Sequence, residues 1–240
     1  FTIQTKDDFT TEGNESFDLS ISDINSTEFE NLVFDKTKAG ADNKTTTTIK
    51  DGVTLGNPEN AVVDEDNFDV TTSGSTIKDN DSKTGHINGN LNIIKNGETD
   101  FTLSFDKNVS NNPIINVYKG NATATETNIY GDDTALKSGG QTILYKLVGN
   151  DKIIGYTTDE NSPVFTITLD KNESGKYTGD YTYTQYKNID HPVKGDATDS
   201  VNDGNITFEF GFKITDQGST SDVVKFKVTV NDSLPKTSNW

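Results

Sequence analysis

Apolar and polar side chains alternate in the stretch Asn205-Ile206-Thr207-Phe208-Glu209-Phe210-Gly211-Phe212-Lys213-Ile214. A period of two is typical of a β-strand with one buried face. Residues 223–230 alternate in the same way, and Asp216-Gln217-Gly218 between the two segments predicts a turn. Residues 163–169 and 179–185 predict a second hairpin, and no helical stripe is present. We therefore expect an all-β fold, an antiparallel immunoglobulin-like β-sandwich.

A domain boundary is predicted at Asn57-Pro58-Glu59-Asn60, which has the composition of a linker. The roughly fifty residues before it are too few to form a complete sandwich alone. We expect residues 1–58 to be the C-terminal part of one β-sandwich, or a set of strands that docks on its neighbour. Residues 59–240 should form a β-sandwich module with extended loops.

The charge balance excludes several classes of function. The chain has 240 residues, with 38 acidic and 21 basic side chains and a net charge of −17. Nucleic-acid binding is not expected, because such an acidic surface repels phosphate. The absence of cysteine excludes disulfides and thiolate metal sites. No run approaches the ~18 apolar residues of a membrane span, so membrane insertion is not expected.

Two groups of residues resemble known bacterial families. Asp7-Asp8 and Glu12-Gly13-Asn14-Glu15-Ser16-Phe17, with a later threonine-rich strand ending at Ile49-Lys50-Asp51, are similar to the last strands of Calx-beta-like domains. The remainder resembles the β-sandwich repeats of giant type I-secreted RTX adhesins of Gram-negative bacteria. The motifs that carry this second resemblance are Val63-Asp64-Glu65-Asp66, Ser138-Gly139-Gly140-Gln141, residues 164–170, Ile189-Asp190-His191-Pro192, residues 210–216 and residues 228–232.

The resemblance implies an extracellular, cell-surface module of a long adhesin that binds Ca²⁺ within and between domains. Such modules are either extenders or binders of a host or microbial peptide or glycan, and neighbouring adhesin domains are further partners. We expect a monomer. Residues 107–133 and 193–204 look longer than a minimal extender needs, which favours ligand binding, while an extender stiffened by calcium remains the alternative.

Calcium takes six to eight oxygen ligands, which acidic clusters supply. Side chains at i and i+2 of a strand share one side, so Asp64 and Asp66 can converge on one ion. The alternative for any single cluster is a solvated acidic surface. The candidate metal ligands are Asp7, Asp8, Glu12, Glu15, Asp51, Asp64, Glu65, Asp66, Asp199, Asn202, Asp203, Asp216, Asn231 and Asp232.

The preferred ligand-binding candidate is the polar loop that contains Asp196, Asp199, Asn202 and Asp203. A calcium ion held there would offer open coordination positions to sugar hydroxyls or to a carboxylate. Tyr183 and Tyr186 are candidates for an apolar wall beside it, and ordinary strand packing is their alternative role.

An enzyme is not expected. The two histidines, His86 and His191, have no recognisable catalytic context, and His191 precedes a proline in a motif that favours a packing role. Paired carboxylates of a glycoside hydrolase cannot be singled out in so acidic a chain, which leaves a carbohydrate-active enzyme as a remote alternative.

Overall fold

The computed structural model describes residues 9, 15–20, 44–49, 52–65, 86–119, 136–191 and 205–231. Seventeen β-strands lie in these ranges, which contain no α-helix. It follows that the described chain also has no helix of the length and apolarity that crossing a bilayer requires. The all-β prediction is confirmed.

The strands are short at the start of the chain and long toward its end. They are β1 (Glu15–Ser20), β2 (Lys44–Ile49), β3 (Thr54–Leu55), β4 (Ala61–Asp64), β5 (His86–Asn90), β6 (Ile93–Ile94), β7 (Thr102–Phe105), β8 (Ile115–Lys119), β9 (Lys137–Ser138), β10 (Gln141–Thr142), β11 (Leu144–Val148), β12 (Lys152–Tyr156), β13 (Phe165–Lys171), β14 (Tyr177–Gln185), β15 (Ile206–Asp216), β16 (Ser219–Thr220) and β17 (Val224–Asn231).

Two sheets form the sandwich. The first has five strands in the order β11-β12-β13-β14-β5. The second is centred on β15, which pairs with β17 on one side and with β7, β8 and β16 as further partners. β4 extends this second sheet beyond β17. Three two-stranded sheets, β1-β2, β3-β6 and β9-β10, complete the described structure.

Both predicted hairpin pairings are present. β13 pairs antiparallel with β14, and β15 pairs antiparallel with β17. The turn after β15 uses Gln217 and Gly218, both with positive φ, as a tight two-residue hairpin requires. That turn leads first into β16, and β17 follows. The sandwich departs from a purely antiparallel arrangement in one place, because β4 and β17 are parallel.

The core lies between the inward sides of the two sheets, and aromatic rings bridge it. The ring centroids of Phe165 and Phe208 are 4.9 Å apart, and those of Tyr181 and Phe226 are 4.3 Å apart. The residues from 206 to 214 at even positions are fully buried, as their alternation predicts. Each aromatic side chain buries a large apolar area, so a chain with few aliphatic residues still closes a dry interior.

The parallel pair fixes the path of the chain. Ala61 lies beside Val228 and Asp64 beside Asn231. The chain therefore comes into the sandwich at one end, along β4, and leaves beyond Asn231 at the other end. We call the end that holds Asp64 and Asn231 the exit pole, and the other end the opposite pole.

The segment just before the predicted boundary also contacts the sandwich. Val53 is fully buried, and β3 pairs with β6. The Gly56 amide donates to the Asn92 carbonyl, 2.9 Å away. The segment around β3 thus contacts the sandwich through one short strand, while the division at residues 58 and 59 and the nature of the first unit stay predictions.

Candidate functional site at the exit pole

The carboxylate of Glu65 lies at the centre of the exit pole. Oε1 accepts hydrogen bonds from the Ile189 amide at 2.8 Å and from Gln185 Nε2 at 3.3 Å. Oε2 lies 3.3 Å from His191 Nε2. Glu65 is only 2% exposed. A carboxylate this deeply buried requires such partners, because the cost of removing it from water is otherwise not offset.

Glu65 reaches this position because it directly follows β4. Gln185 ends β14 in the opposing sheet, so the contact joins the two sheets at their rim. Gln185 Nε2 also donates to the Lys187 carbonyl at 2.8 Å, and the Tyr183 hydroxyl donates to Gln185 Oε1. Burial, and next the charge of Glu65, hold the pKa of Tyr183 well above its usual value. Tyr183 therefore remains a neutral hydrogen-bond donor.

A second carboxylate at this pole binds a glycine turn. Gly139 and Gly140 donate their amides to the two oxygens of Asp190, at 2.8 Å and 2.7 Å. Both glycines have positive φ, so the consecutive N–H groups form a concave nest for an anion. The Asp190 amide in turn donates to the Lys137 carbonyl at 2.7 Å.

Three of the motifs named above therefore meet. Glu65 belongs to the motif at residues 63–66, and the glycine pair belongs to the motif at residues 138–141. Ile189, Asp190 and His191 belong to the motif at residues 189–192. We call these contacts the motif junction. Its visible role is to fix the end of β14 in the five-stranded sheet to the chain just after the end of β4. The sequence analysis did not predict the role of Gln185 or the contact of Asp190 with the glycine turn. Gly139 and Gly140 could have indicated an anion-binding turn, but the carboxylate that they bind, Asp190, is about fifty residues away.

Most candidate metal ligands lie outside the described residues. These are Asp7, Asp8, Glu12, Asp51, Asp66, Asp199, Asn202, Asp203 and Asp232. Of the others, Glu15 is exposed on β1, and Asp64 and Asn231 are neighbours in the parallel pair. Within the described ranges, no three His, Asp or Glu residues are grouped as a metal site would need. Calcium binding stays a prediction.

Glu65 and Asp216 have environments that the sequence did not foresee. Glu65 is engaged by the protein's own donors rather than presented to solvent. Asp216 ends β15 on its inward side and is 3% exposed, and within the described part of the chain its Oδ2 has no hydrogen-bond partner. Their roles as calcium ligands remain predictions.

Some of the ligand-binding candidates also lie outside the described residues, and others lie within them. Asp196, Asp199, Asn202 and Asp203 are outside the described residues. Tyr183 does not form a surface wall, because it points inward from β14, is fully buried and stacks on Phe165 with ring centroids 5.4 Å apart. Tyr186 is 46% exposed and remains available to a ligand.

The histidines are both engaged in polar contacts. His86 Nδ1 lies 3.0 Å from the Thr184 hydroxyl, on the outside of the five-stranded sheet. His191 is buried against Glu65, which accords with the packing role predicted for it. These partners hold the rings in place, and neither contact pairs a histidine with a serine that could act as a nucleophile.

Comparison with known proteins gives one match. A family model described as "Domain of unknown function (DUF5801)" matches residues 121–233, slightly less than half of the chain. No curated protein and no solved structure shows significant similarity. The match covers the glycine turn, β11 to β17 and the His191 segment, but not Glu65.

Proposed function

We propose that this chain is an adhesion module of a large, exported bacterial surface protein, and that calcium stiffens it. The observation that carries the proposal is the chain path. The polypeptide passes from the opposite pole to the exit pole, with β4 and β17 side by side and parallel. A module built this way joins its neighbours end to end, which suits a long extended protein.

The calcium part of the proposal rests on charge. The candidates Asp64, Asp66 and Asp232, together with the neutral amide of Asn231, cluster in sequence at the two strand ends that meet at the exit pole. Carboxylates crowded at a junction repel one another, and a bound divalent ion removes that repulsion. An ion there would also restrict the pivoting of a neighbouring domain.

The experiment is a melting curve of the full chain in calcium and after chelation. A site filled at 100 times its Kd adds about 2.7 kcal/mol of stability. In a chain of this size that gain raises Tm by about 5–10 °C. We expect Tm to fall by this amount in EGTA and to recover when calcium is restored.

Magnesium and sodium chloride at equal ionic strength are the controls, because they screen charge without matching a calcium cage. An equal rise in Tm with all three salts would reduce the calcium effect to screening. No change with any of them would contradict the proposal.

The non-binding extender is the second candidate, and the same chain path favours it. Glycan and peptide arrays separate the two: an extender gains Tm with calcium but gives no hit on either array. An enzyme would instead show turnover of a polysaccharide or peptide substrate.

A further inference from the structure

The outward side of β5, β13 and β14 carries a continuous polar surface, which we call the polar face. It lies on the side of the five-stranded sheet away from the core, where the period of two places its members together, and all of them except the buried Thr166 are at least partly exposed. Its residues are His86, Asn88, Asn90, Thr166, Thr168, Asp170, Thr178, Asp180, Thr182 and Thr184.

Hydrogen bonds between strands hold these side chains in place. Thr182 Oγ1 lies 2.7 Å from Asp170 Oδ2 on one neighbouring strand and 2.9 Å from Asn88 Oδ1 on the other. Asn90 Nδ2 donates to Asp180 Oδ1 at 2.8 Å. Side chains that are already ordered lose little entropy when a ligand binds.

The polar face has more acceptors than donors. Thr182 has one hydroxyl hydrogen for two acceptor oxygens, Asp170 Oδ2 and Asn88 Oδ1. Burial raises the pKa of Asp170. The hydrogen bond from Thr182 lowers that pKa and the nearby charge of Asp180 raises it, so the net direction is upward. A ligand that supplies several hydroxyl donors would satisfy these oxygens.

Tyr186 continues the same side of the surface, two residues after Thr184. It is 46% exposed, so its ring can pack against the apolar face of a sugar while its hydroxyl stays in water. From Asp180 to Tyr186 the strand direction covers about 20 Å. That length accommodates several linked saccharide units.

Other ligand classes fit this surface less well. The ten positions include two carboxylates, and Lys152, beside Thr168 on the neighbouring β12, is the one lysine that pairs directly with them, so the balance of charge disfavours acidic polymers. A peptide strand pairs with the edge of a sheet rather than with its face, and an anchored peptide needs apolar pockets. Apart from the imidazole of His86, the polar face offers hydroxyl, amide and carboxylate groups.

We propose that the polar face binds a neutral oligosaccharide, with Asp170, Asp180 and Asn88 accepting or exchanging hydrogen bonds with sugar hydroxyls and Tyr186 stacking on a ring. This inference rests on the adhesive function proposed above and names its ligand class. It differs from the predicted calcium loop at residues 196–203, because no metal takes part.

The test is binding of soluble neutral oligosaccharides, derived from dextran, mannan and cellulose, to the ¹⁵N-labelled full chain, followed by NMR. We expect shifts in the amide signals of β5, β13 and β14. Asp180→Ala and Tyr186→Ala should each weaken binding about tenfold, the loss of one strong contact. Tyr186→Phe keeps the ring and should bind normally. Thr220→Ala, an exposed threonine of the other sheet, is the matched control.

Two outcomes overturn the inference. One is the absence of binding to every neutral oligosaccharide by the folded chain. The other is binding that does not use this surface, shown by unchanged affinity in both alanine variants or by shifted amide signals in other strands. Binding that disappears in EGTA while the chain is still folded would likewise reject the polar face and favour the acidic loop at residues 196–203. A calcium-dependent Tm without saccharide binding would leave the adhesin module standing as an extender and reject only the polar face.

Discussion

Single residues at the exit pole are fixed by contacts that span the chain. Glu65 accepts from Ile189 and Gln185, more than 115 residues away in the sequence. The sequence indicates that Glu65 is acidic and lies near a strand end, and both features suit a solvated metal ligand. Nothing local indicates burial, because the donors that make burial possible belong to a distant segment. Tyr183 and Tyr186 show the opposite case, since strand parity alone separates the buried ring from the exposed one.

Glu65→Ala should destabilise the fold strongly. The change leaves the Ile189 amide and Gln185 without their acceptor and removes the side chain that His191 packs against. Each buried donor left without an acceptor typically costs about 1–3 kcal/mol, so the two together should cost about 2–6 kcal/mol. Urea unfolding measures the loss, with Glu160→Ala, which removes an exposed pair with Lys146, as the control at about 0–1 kcal/mol. Equal losses in the two variants would show that the motif junction does not anchor the sheets.

Strand pairings were predictable where they are local. The hairpins β13–β14 and β15–β17 follow from alternation around polar, glycine-containing turns. The parallel contact of β4 with β17 has no such signal, because about 165 residues separate the partners. The sequence also gave no signal for two pairs of a glycine and an aromatic residue on neighbouring strands: Gly155 lies opposite Phe165, and Gly89 lies opposite Tyr181. In each pair the aromatic ring occupies the space that a larger partner would need.

Gly155→Ala tests this packing in β12. An added Cβ would lie 2.4 Å from the ring of Phe165, which is itself packed against Tyr183 and Phe208. The ring cannot move without disturbing the core, so we expect a loss of about 1–3 kcal/mol. Thermal or urea unfolding measures it, and Thr158→Ala at an exposed bend is the control. A neutral result at Gly155 would mean that the core accommodates the methyl group.

The whole molecule combines a narrow aromatic core with a net charge of −17. Like charges on a compact surface repel one another and weaken the folded state. The fold class was predictable from this composition and from the alternation. The binding chemistry was not, because it depends on which outward side chains the sheet register places together.

Monovalent salt should therefore stabilise the chain even when calcium is removed. In EGTA, raising NaCl from about 10 mM to 150 mM shortens the screening length from about 30 Å to 8 Å. We expect Tm to rise, and KCl to give the same rise, because screening does not depend on which monovalent cation is present. Differential scanning calorimetry measures the change. A flat response would show that the surface charges are too far apart to matter.

The parallel pair β4–β17 has a mechanical consequence. Tension on the two ends of the module would pull β4 outward at the opposite pole and β17 outward at the exit pole, so the two strands would be pulled in opposite directions. The hydrogen bonds between these strands run across that direction, so the load shears them together instead of opening them one after another. Such a geometry resists extension far better than a hairpin pulled apart from one end, so in the proposed adhesion module the β4–β17 pair would be the contact that resists unfolding under tension.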